Sequence, residues 1–159
     1  MCTKKWDISV LPITVLFSPG LRLRYRCTWG TGTAQINDLV GRMVFKTGIQ
    51  CNCGLAKEIE VRLKDPPLNT IYVRDDESET LDGSTILFAK GNTINGALVR
   101  LPENESTPLL TLGVTLHEIL HALGCQHSDD PGSIMYSKSN VRPQLLAEKD
   151  IENLIKVYG

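Results

Sequence analysis

The sequence lacks several features that would each point to a particular class of protein. Its formal net charge is only −1 at pH 7, so it has no general field that would attract nucleic acid or an anionic membrane. No apolar run approaches the roughly 20 residues of a membrane-spanning helix. We therefore expect neither nucleic acid nor a membrane among its partners. We also expect a monomer.

The N-terminal segment also lacks the small-residue cleavage site that ends a secretory signal. Lys4 and Lys5 precede a mainly apolar stretch at 6–17, which Asp7 and Pro12 interrupt. This pattern favours a strand over a signal peptide. We expect a chain that is either not secreted or is a mature domain without its targeting segment, which leaves the localisation open.

What the sequence does have is an ordinary globular composition. Hydrophobic residues make up 42% and charged residues 22% of the chain, as in soluble domains. A length of 159 residues suits one domain with one core. We predict a single domain over 1–159, with the sheet and first helix in 1–110 and the later helices in 111–159.

The five cysteines leave the redox compartment undecided. They are Cys2, Cys27, Cys51, Cys53 and Cys125. An odd number leaves at least one thiol without an intramolecular partner. Cys51 and Cys53 could bind metal or cycle between redox states, but their spacing differs from Cys-x-x-Cys, so free thiols or one disulfide are favoured.

Apolar periodicity predicts the order strand, helix, four strands, helix, loop, helix. The strands are predicted at 11–17, 58–63, 71–73, 85–89 and 96–101. The helices are predicted at 33–45, from Pro108 to Gly124 and at 147–157. The middle helix is apolar nearly all round and should be buried. This order implies an α/β (α+β) sandwich with a mixed five-stranded sheet and three helices.

Two charged stretches each allow an ordinary and a functional interpretation. Arg22, Arg24 and Arg26 alternate with apolar residues. We interpret them as the solvated face of a strand or loop, with nucleic-acid binding as the lesser alternative. An acidic cluster could hold Ca²⁺ through oxygen ligands, although a solvated loop is favoured. Its members are Asp75, Asp76, Glu77, Glu79 and Asp82.

The segment from His117 to His127 carries the clearest chemical signal. His117 and His121 are four residues apart, so a helix places both imidazoles on one face, about 6 Å apart along its axis. Glu118 is offset by one residue and can reach a water beside the ion without ligating the metal. Gly124 allows a sharp turn that brings His127 back as a third ligand. Three protein nitrogens leave one tetrahedral position open, which is typical of a catalytic zinc site.

This motif is specific, because five fixed positions arise by chance at odds of about 10⁻⁶ per window. All three histidines of the chain lie in it. The alternative is that His117 and His121 are satisfied core histidines. Two neutral imidazoles beside a carboxylate on an apolar helix would be costly to bury without a metal, so we favour the metal site.

The residues after this motif resemble those of the matrixins, the matrix metalloproteinase family among the metzincins. The similarity is specific over the last third of the chain. The similar segments are His127-Ser128, Asp130-Pro131-Gly132, Ile134-Met135-Tyr136, Asp150-Ile151, Val157-Tyr158-Gly159 and, near the start, Lys5-Trp6.

The resemblance implies a metzincin (zincin-like) fold, with a twisted sheet and the active-site helix beneath it. It also implies a zinc-dependent endopeptidase with one catalytic Zn²⁺ and a peptide or protein substrate. His117, His121 and His127 would be the zinc ligands. Glu118 would be the general base and proton shuttle. Most members of the family are extracellular.

The resemblance assigns further residues to the turn and to the substrate. Met135 would be the methionine of the Met-turn, and Asp150 would hold the backbone of that turn. Substrate would lie extended along an edge strand at Ser84–Lys90. Gly113 and Tyr136 would lie beside a deep pocket that accepts a large apolar side chain.

Two departures from the family bear on metal binding. Its second, structural zinc needs three further histidines, and this chain has none. Its glycine-rich calcium loops are not recognisable. The alternative functions are an enzyme that hydrolyses non-peptide amides and a non-catalytic zinc-binding module. Cys125 could close the zinc site in such a module, but it lies at a poor helical phase.

Overall fold

The computed structural model describes residues 1–46, 66–76, 83–103, 108–137 and 145–159. The strand predicted at 58–63, the Cys51 and Cys53 pair, and most of the acidic cluster lie outside these ranges. The described elements are β1 (Lys5–Trp6), a 3₁₀ turn (Ile8–Val10), β2 (Thr14–Phe17), α1 (Leu23–Val40), β3 (Thr70–Asp76), β4 (Ser84–Lys90), β5 (Thr93–Pro102), α2 (Pro108–Ala122) and α3 (Glu148–Tyr158).

Five strands form one mixed sheet in which β5 makes most of the pairings. β5 runs parallel to β3 and to the short β1, and β2 continues the sheet parallel to β3. β4 pairs antiparallel with β5, and a tight turn at Gly91 (φ 61°) joins the two strands. The predicted α/β architecture, with a mixed five-stranded sheet and three helices, is therefore confirmed.

The two faces of the sheet follow the alternation of the strands. In β3, Ile71 and Val73 lie in the main core, which the helices also line. Tyr72 points to the other face, where it packs with Leu16 and Leu98 in a second, smaller cluster. This period of two places successive side chains on opposite sides of the sheet.

Helix α1 packs closely against α2 because a glycine lies between them. A Cβ built at Gly32 would lie 2.8 Å from Ile119 Cδ1 and 3.1 Å from Leu116 Cδ2. The hydroxyls of Thr28 and Thr115 are also 2.9 Å apart across this contact. Within the described residues, no helix is long and apolar enough to cross a bilayer.

The bounds predicted for the first helix were wrong at both ends. The helix spans Leu23–Val40, so Arg24 and Arg26 lie on a helix and not on a strand or loop. Its buried residues recur at helical spacing, a period that the alternating arginines obscured. They include Tyr25, Trp29, Ile36 and Val40.

The helix stops before the predicted end because Gly41 adopts a left-handed conformation (φ 76°) and its N–H bonds to the Asn37 carbonyl at 3.0 Å. The Asn37 side chain then holds the next turn. Its Oδ1 accepts from the N–H groups of Val44 and Phe45, and its Nδ2 donates to the Phe45 carbonyl. Val44 and Phe45 are thus buried because this turn holds them, and not because they lie on the buried face of a helix.

Candidate metal centre

Helix α2 places two ionisable side chains inside the protein. Leu116 and Ile119 are fully buried on either side of His117 and Glu118, which are only 1% and 2% exposed. His121, one turn later, is half-buried. Burial of an imidazole and a carboxylate on neighbouring positions needs compensating partners, and the structure supplies them.

The three imidazoles lie together at the end of α2. Ring centroids are 4.5 Å apart for His117 and His121, 4.7 Å for His121 and His127, and 5.2 Å for His117 and His127. One nitrogen from each ring lies within 4.8 Å of the other two. The Nε2 atoms of His121 and His127 are 3.1 Å apart, close to the roughly 3.3 Å between two nitrogens bound to one tetrahedral zinc.

Backbone carbonyls orient two of these rings. His117 Nδ1 lies 2.8 Å from the Ile134 carbonyl, and His121 Nδ1 lies 2.8 Å from the Cys125 carbonyl. A carbonyl can only accept, so Nδ1 carries the proton in both rings, and Nε2 presents its lone pair. This tautomer leaves Nε2 able to bind a metal. The donor set and its orientation therefore fit a zinc ion.

The chain leaves α2 through a turn that only glycine can make. Gly124 has φ 93°, and a Cβ built there would lie 2.0 Å from the Lys4 carbonyl oxygen. The N-terminal segment runs alongside this turn. Thr3 N–H donates to the Gly124 carbonyl at 3.1 Å, and Gln126 N–H donates to the Met1 carbonyl at 3.0 Å. These contacts fix the path towards His127.

A disulfide joins the same two segments. Cys2 and Cys125 are bonded, and Cys27 is a free, exposed thiol. The sulfur of Cys125 is therefore not available as a fourth zinc ligand, as expected from its helical phase. Cys125 therefore has two contacts: its sulfur is bonded to Cys2, and its carbonyl orients His121, a candidate metal ligand.

Two buried aromatic side chains secure the last turn of α2. Trp6 Nε1 donates to the Ala122 carbonyl at 2.8 Å, and the Tyr158 hydroxyl donates to the Leu123 carbonyl at 2.7 Å. The same hydroxyl accepts from Trp6 N–H at 3.2 Å. Burial raises the pKa of Tyr158 well above its ordinary value. Trp6 on β1 and Tyr158 on α3 thus supply hydrogen-bond donors to carbonyls at the helix end, where partners within the helix are lacking.

Glu118 lines the same cleft as the three histidines. Its Oε2 accepts from the Thr85 hydroxyl of β4 at 2.6 Å. The cleft has a volume of about 370 Å³ and is lined by Gly83, Ser84, Thr85, His117, Glu118, His121, His127 and Ser137. A water or a peptide carbonyl in this space would lie beside both the imidazoles and a carboxylate.

Asp150 holds the turn that contains Met135. The carboxylate, 5% exposed, accepts from the Ser133 hydroxyl at 2.5 Å, from Ile134 N–H at 2.9 Å and from Ala147 N–H at 3.0 Å. Ser133 Oγ in turn accepts from Met135 N–H at 3.0 Å. Met135 itself is buried in the main core. Asp150 thus hydrogen-bonds to two residues of this turn, and its role as the residue that holds a Met-turn stays a prediction.

The residues predicted to bind substrate are less closely grouped. Ser84, at the start of the predicted edge strand, lines the cleft, and β4 pairs only with β5 among the described strands. Gly113 is buried on α2 and Tyr136 is half-buried, and neither lines the cleft. Residues 138–144 lie outside the described ranges, so the predicted pocket beyond Met135 stays a prediction.

Thr85 and the N-terminal segment Met1–Lys4 are parts of the site that the sequence did not predict. Thr85 stands in a short, mainly apolar strand, and no local pattern distinguishes it. The contacts of the N-terminal segment with Gly124 and Gln126 join residues more than a hundred positions apart, which periodicity cannot detect.

The family model of the matrixins matches residues 57–159, which is more than half of the chain. A stretch of 48 residues is 46% identical to a probable matrix metalloproteinase, 095L, of Invertebrate iridescent virus 3. That stretch covers 30% of this chain and only 13% of the viral protein.

Two solved structures are similar over almost the whole chain. Myroilysin superposes with a TM-score of 0.61 at 12% identity, covering 98% of this chain and 86% of its own. High choriolytic enzyme 1, a hatching enzyme zinc-protease of the medaka fish Oryzias latipes, gives a TM-score of 0.51 at 14% identity, covering 99% and 94%. At such low identity the likeness is one of fold, and it agrees with the metzincin-type fold expected.

Proposed function

Because this chain belongs to the matrixin family, we propose that it is a zinc-dependent endopeptidase in which Glu118 acts as general base. One observation carries the proposal: three imidazoles and one buried carboxylate line the same cleft. His117, His121 and His127 would hold the ion. A structural zinc is usually closed by a fourth protein ligand and needs no neighbouring base.

When bound, zinc would act as a Lewis acid that lowers the pKa of water to about 7 and polarises a peptide carbonyl. The chain's own residues would do the rest. Glu118 takes the proton from the attacking water and later passes it to the nitrogen of the leaving amine as the C–N bond breaks. The carbonyls of Ile134 and Cys125 keep the His117 and His121 rings in place throughout.

We propose that the substrate peptide lies extended beside β4. Its backbone would add to the side of β4 that does not pair with β5, so that main-chain hydrogen bonds would give affinity without demanding a particular sequence. Ser84 and Thr85 bring this strand to the cleft. The residue after the scissile bond would be large and apolar, and Gly113 and Tyr136 would lie near its pocket.

The test is cleavage of casein by the zinc-loaded protein, with and without a chelator. Glu118→Gln should keep its zinc and lose about 10²- to 10⁴-fold in kcat, the usual contribution of a general base. Glu152→Gln, an exposed acid on α3, is the control and should cleave like the unchanged protein. Full activity of Glu118→Gln would overturn the proposed base.

A peptide library tests the substrate class separately. Cleavage before large apolar residues supports the proposed pocket, whereas a preference for small or charged residues would contradict it. Hydrolysis of small amides without cleavage of casein would assign the chain to amide hydrolases instead.

A further inference from the structure

We propose that Thr85 is the positioning residue of Glu118, a role that rests on the proposed function. Its hydroxyl donates to Glu118 Oε2 at 2.6 Å, a short distance of the kind made by charge-assisted hydrogen bonds. The same hydroxyl lies 3.4 Å from the Glu118 backbone carbonyl, so the carboxylate, with the shorter distance, receives the proton.

This contact crosses between two elements that are distant in sequence. Thr85 lies on β4 and Glu118 lies on α2, and both line the same cleft. A glutamate has three side-chain torsions, and a carboxylate held from the opposite wall of the cleft retains fewer of its rotamers. Thr85 therefore determines where in the cleft the carboxylate stands.

The neighbouring Gly83 lies beside the same carboxylate and is confined by the backbone of β5. A Cβ built at Gly83 would lie 3.5 Å from Glu118 Oε1 and 2.8 Å from the Arg100 carbonyl. Gly83 also has φ 69°, which most residues avoid.

The position of Thr85 also connects the base to the substrate strand. β4 is the strand beside which we propose that the peptide lies, and Thr85 is its second residue. A peptide that adds to β4 would thus dock on the same strand that holds the base. Loss of the Thr85 hydroxyl should then disturb the chemical step more than the binding of substrate.

Three variants separate the hydroxyl from the shape of the side chain. Thr85→Val replaces the hydroxyl with a methyl group of similar size, and Thr85→Ser keeps the hydroxyl. Thr93→Val is the matched control, because Thr93 is an exposed threonine of β5 in the same sheet. Each purified, zinc-loaded variant is assayed for kcat and KM on one peptide, and its zinc content is measured.

We expect Thr85→Val to lose about 10- to 100-fold in kcat, the size of effect that misplacement of a reacting group causes. KM and zinc content should stay unchanged. Thr85→Ser should recover most of the rate, and Thr93→Val should equal the unchanged protein. In the Glu118→Gln background, Thr85→Val should have no further effect, because the base it positions is gone.

A second measurement needs no turnover. Without metal, the infrared carboxylate band of Glu118 should shift in Thr85→Val, and the shift should vanish when the same exchange is made in Glu118→Gln. Equal kcat in Thr85→Val and the unchanged protein would overturn the positioning role of Thr85 and leave the proposed function intact. So would a loss in Thr85→Ser as large as in Thr85→Val. A zinc-loaded, unchanged protein that cleaves no peptide would overturn the proposed function as well.

Discussion

Asp150 and His117 hydrogen-bond to the two sides of a single residue, Ile134. Its N–H donates to the Asp150 carboxylate at 2.9 Å, and its carbonyl accepts from His117 Nδ1 at 2.8 Å. A carboxylate on α3 thus holds the residue whose carbonyl orients a candidate metal ligand on α2. Partners of this indirect kind affect metal affinity although they do not touch the metal.

Replacement of Asp150 should therefore weaken both the fold and the metal site. Asp150→Ala leaves the N–H groups of Ile134 and Ala147 without their acceptor, and each lost bond to a charged group is worth about 1.5–3 kcal/mol. We expect the free energy of unfolding to fall by about 3 kcal/mol or more, with weaker zinc binding. Urea unfolding and zinc titration measure the two effects.

The control for this change is Glu152→Ala, which removes an exposed acid from the same helix. Surface substitutions of this kind change stability by about 0.5 kcal/mol or less. If Asp150→Ala and Glu152→Ala unfold at the same urea concentration, the buried carboxylate does not support the turn.

Loss of the disulfide should destabilise the protein and leave His127, the third candidate zinc ligand, less firmly held. The bond closes a loop with a sequence separation of 123 residues, for which chain entropy predicts a contribution of roughly 4–5 kcal/mol. Cys2→Ser should lower the thermal midpoint and weaken zinc binding, because residues 124–126 carry the chain towards His127. Calorimetry with and without a reductant provides the measurement.

Cys27→Ser is the matched control for Cys2→Ser. Cys27 is exposed and free, so its replacement should leave the thermal midpoint unchanged, and a reductant should affect this variant as it affects the unchanged protein. A midpoint of Cys2→Ser equal to that of Cys27→Ser would rule out a stabilising tether.

Two glycines should respond to alanine in opposite directions. Gly124→Ala puts a Cβ at φ 93° and 2.0 Å from a backbone oxygen, so we expect a loss of at least about 3 kcal/mol. Gly30 lies exposed within α1 with nothing within 4 Å. Gly30→Ala should raise stability by about 0.5–1 kcal/mol. Equal midpoints of chemical denaturation in the two variants would be incompatible with the turn described.

Tyr158 should make the fold sensitive to alkaline pH. Burial raises the pKa of its hydroxyl in the folded state. Its contribution is therefore complete below the unfolded pKa of about 10 and is lost as the pH rises above that value. Tyr158→Phe should cost about 1–2 kcal/mol at pH 7, because its hydrogen bonds are lost.

The same variant should lose less stability than the unchanged protein between pH 9 and about pH 11, because it has one ionisable group fewer. Unfolding free energies measured across this range give the two slopes. Parallel slopes would mean that Tyr158 ionises as readily in the folded as in the unfolded chain.

The sequence predicted those features that depend on neighbours along the chain. The spacing of His117 and His121 follows from one turn of a helix, and Gly124 was recognised as the residue that ends it. The strands β3, β4 and β5 were predicted because each contains a short run rich in apolar residues. Local geometry was sufficient for these elements, including the order in which they follow one another.

What the sequence did not predict depends on contacts between distant segments. Nothing near Cys2 indicates that it bonds to Cys125, because five cysteines allow many pairings. The Thr85 contact with Glu118 arises only when β4 folds against α2. The start of α1 was misjudged for a different reason: the alternating arginines imitate a strand, whereas burial of Tyr25 and Trp29 decides for a helix.

The central claim is that three imidazoles bind one metal ion, and elemental analysis of the purified protein tests it most directly. We expect one zinc per chain in the unchanged protein and in Glu118→Gln. In His121→Ala, which keeps two of the three nitrogen ligands, we expect much less than one. Correctly folded protein that takes up no stoichiometric zinc, or a His121→Ala variant that binds zinc as tightly as the unchanged chain, would contradict the account.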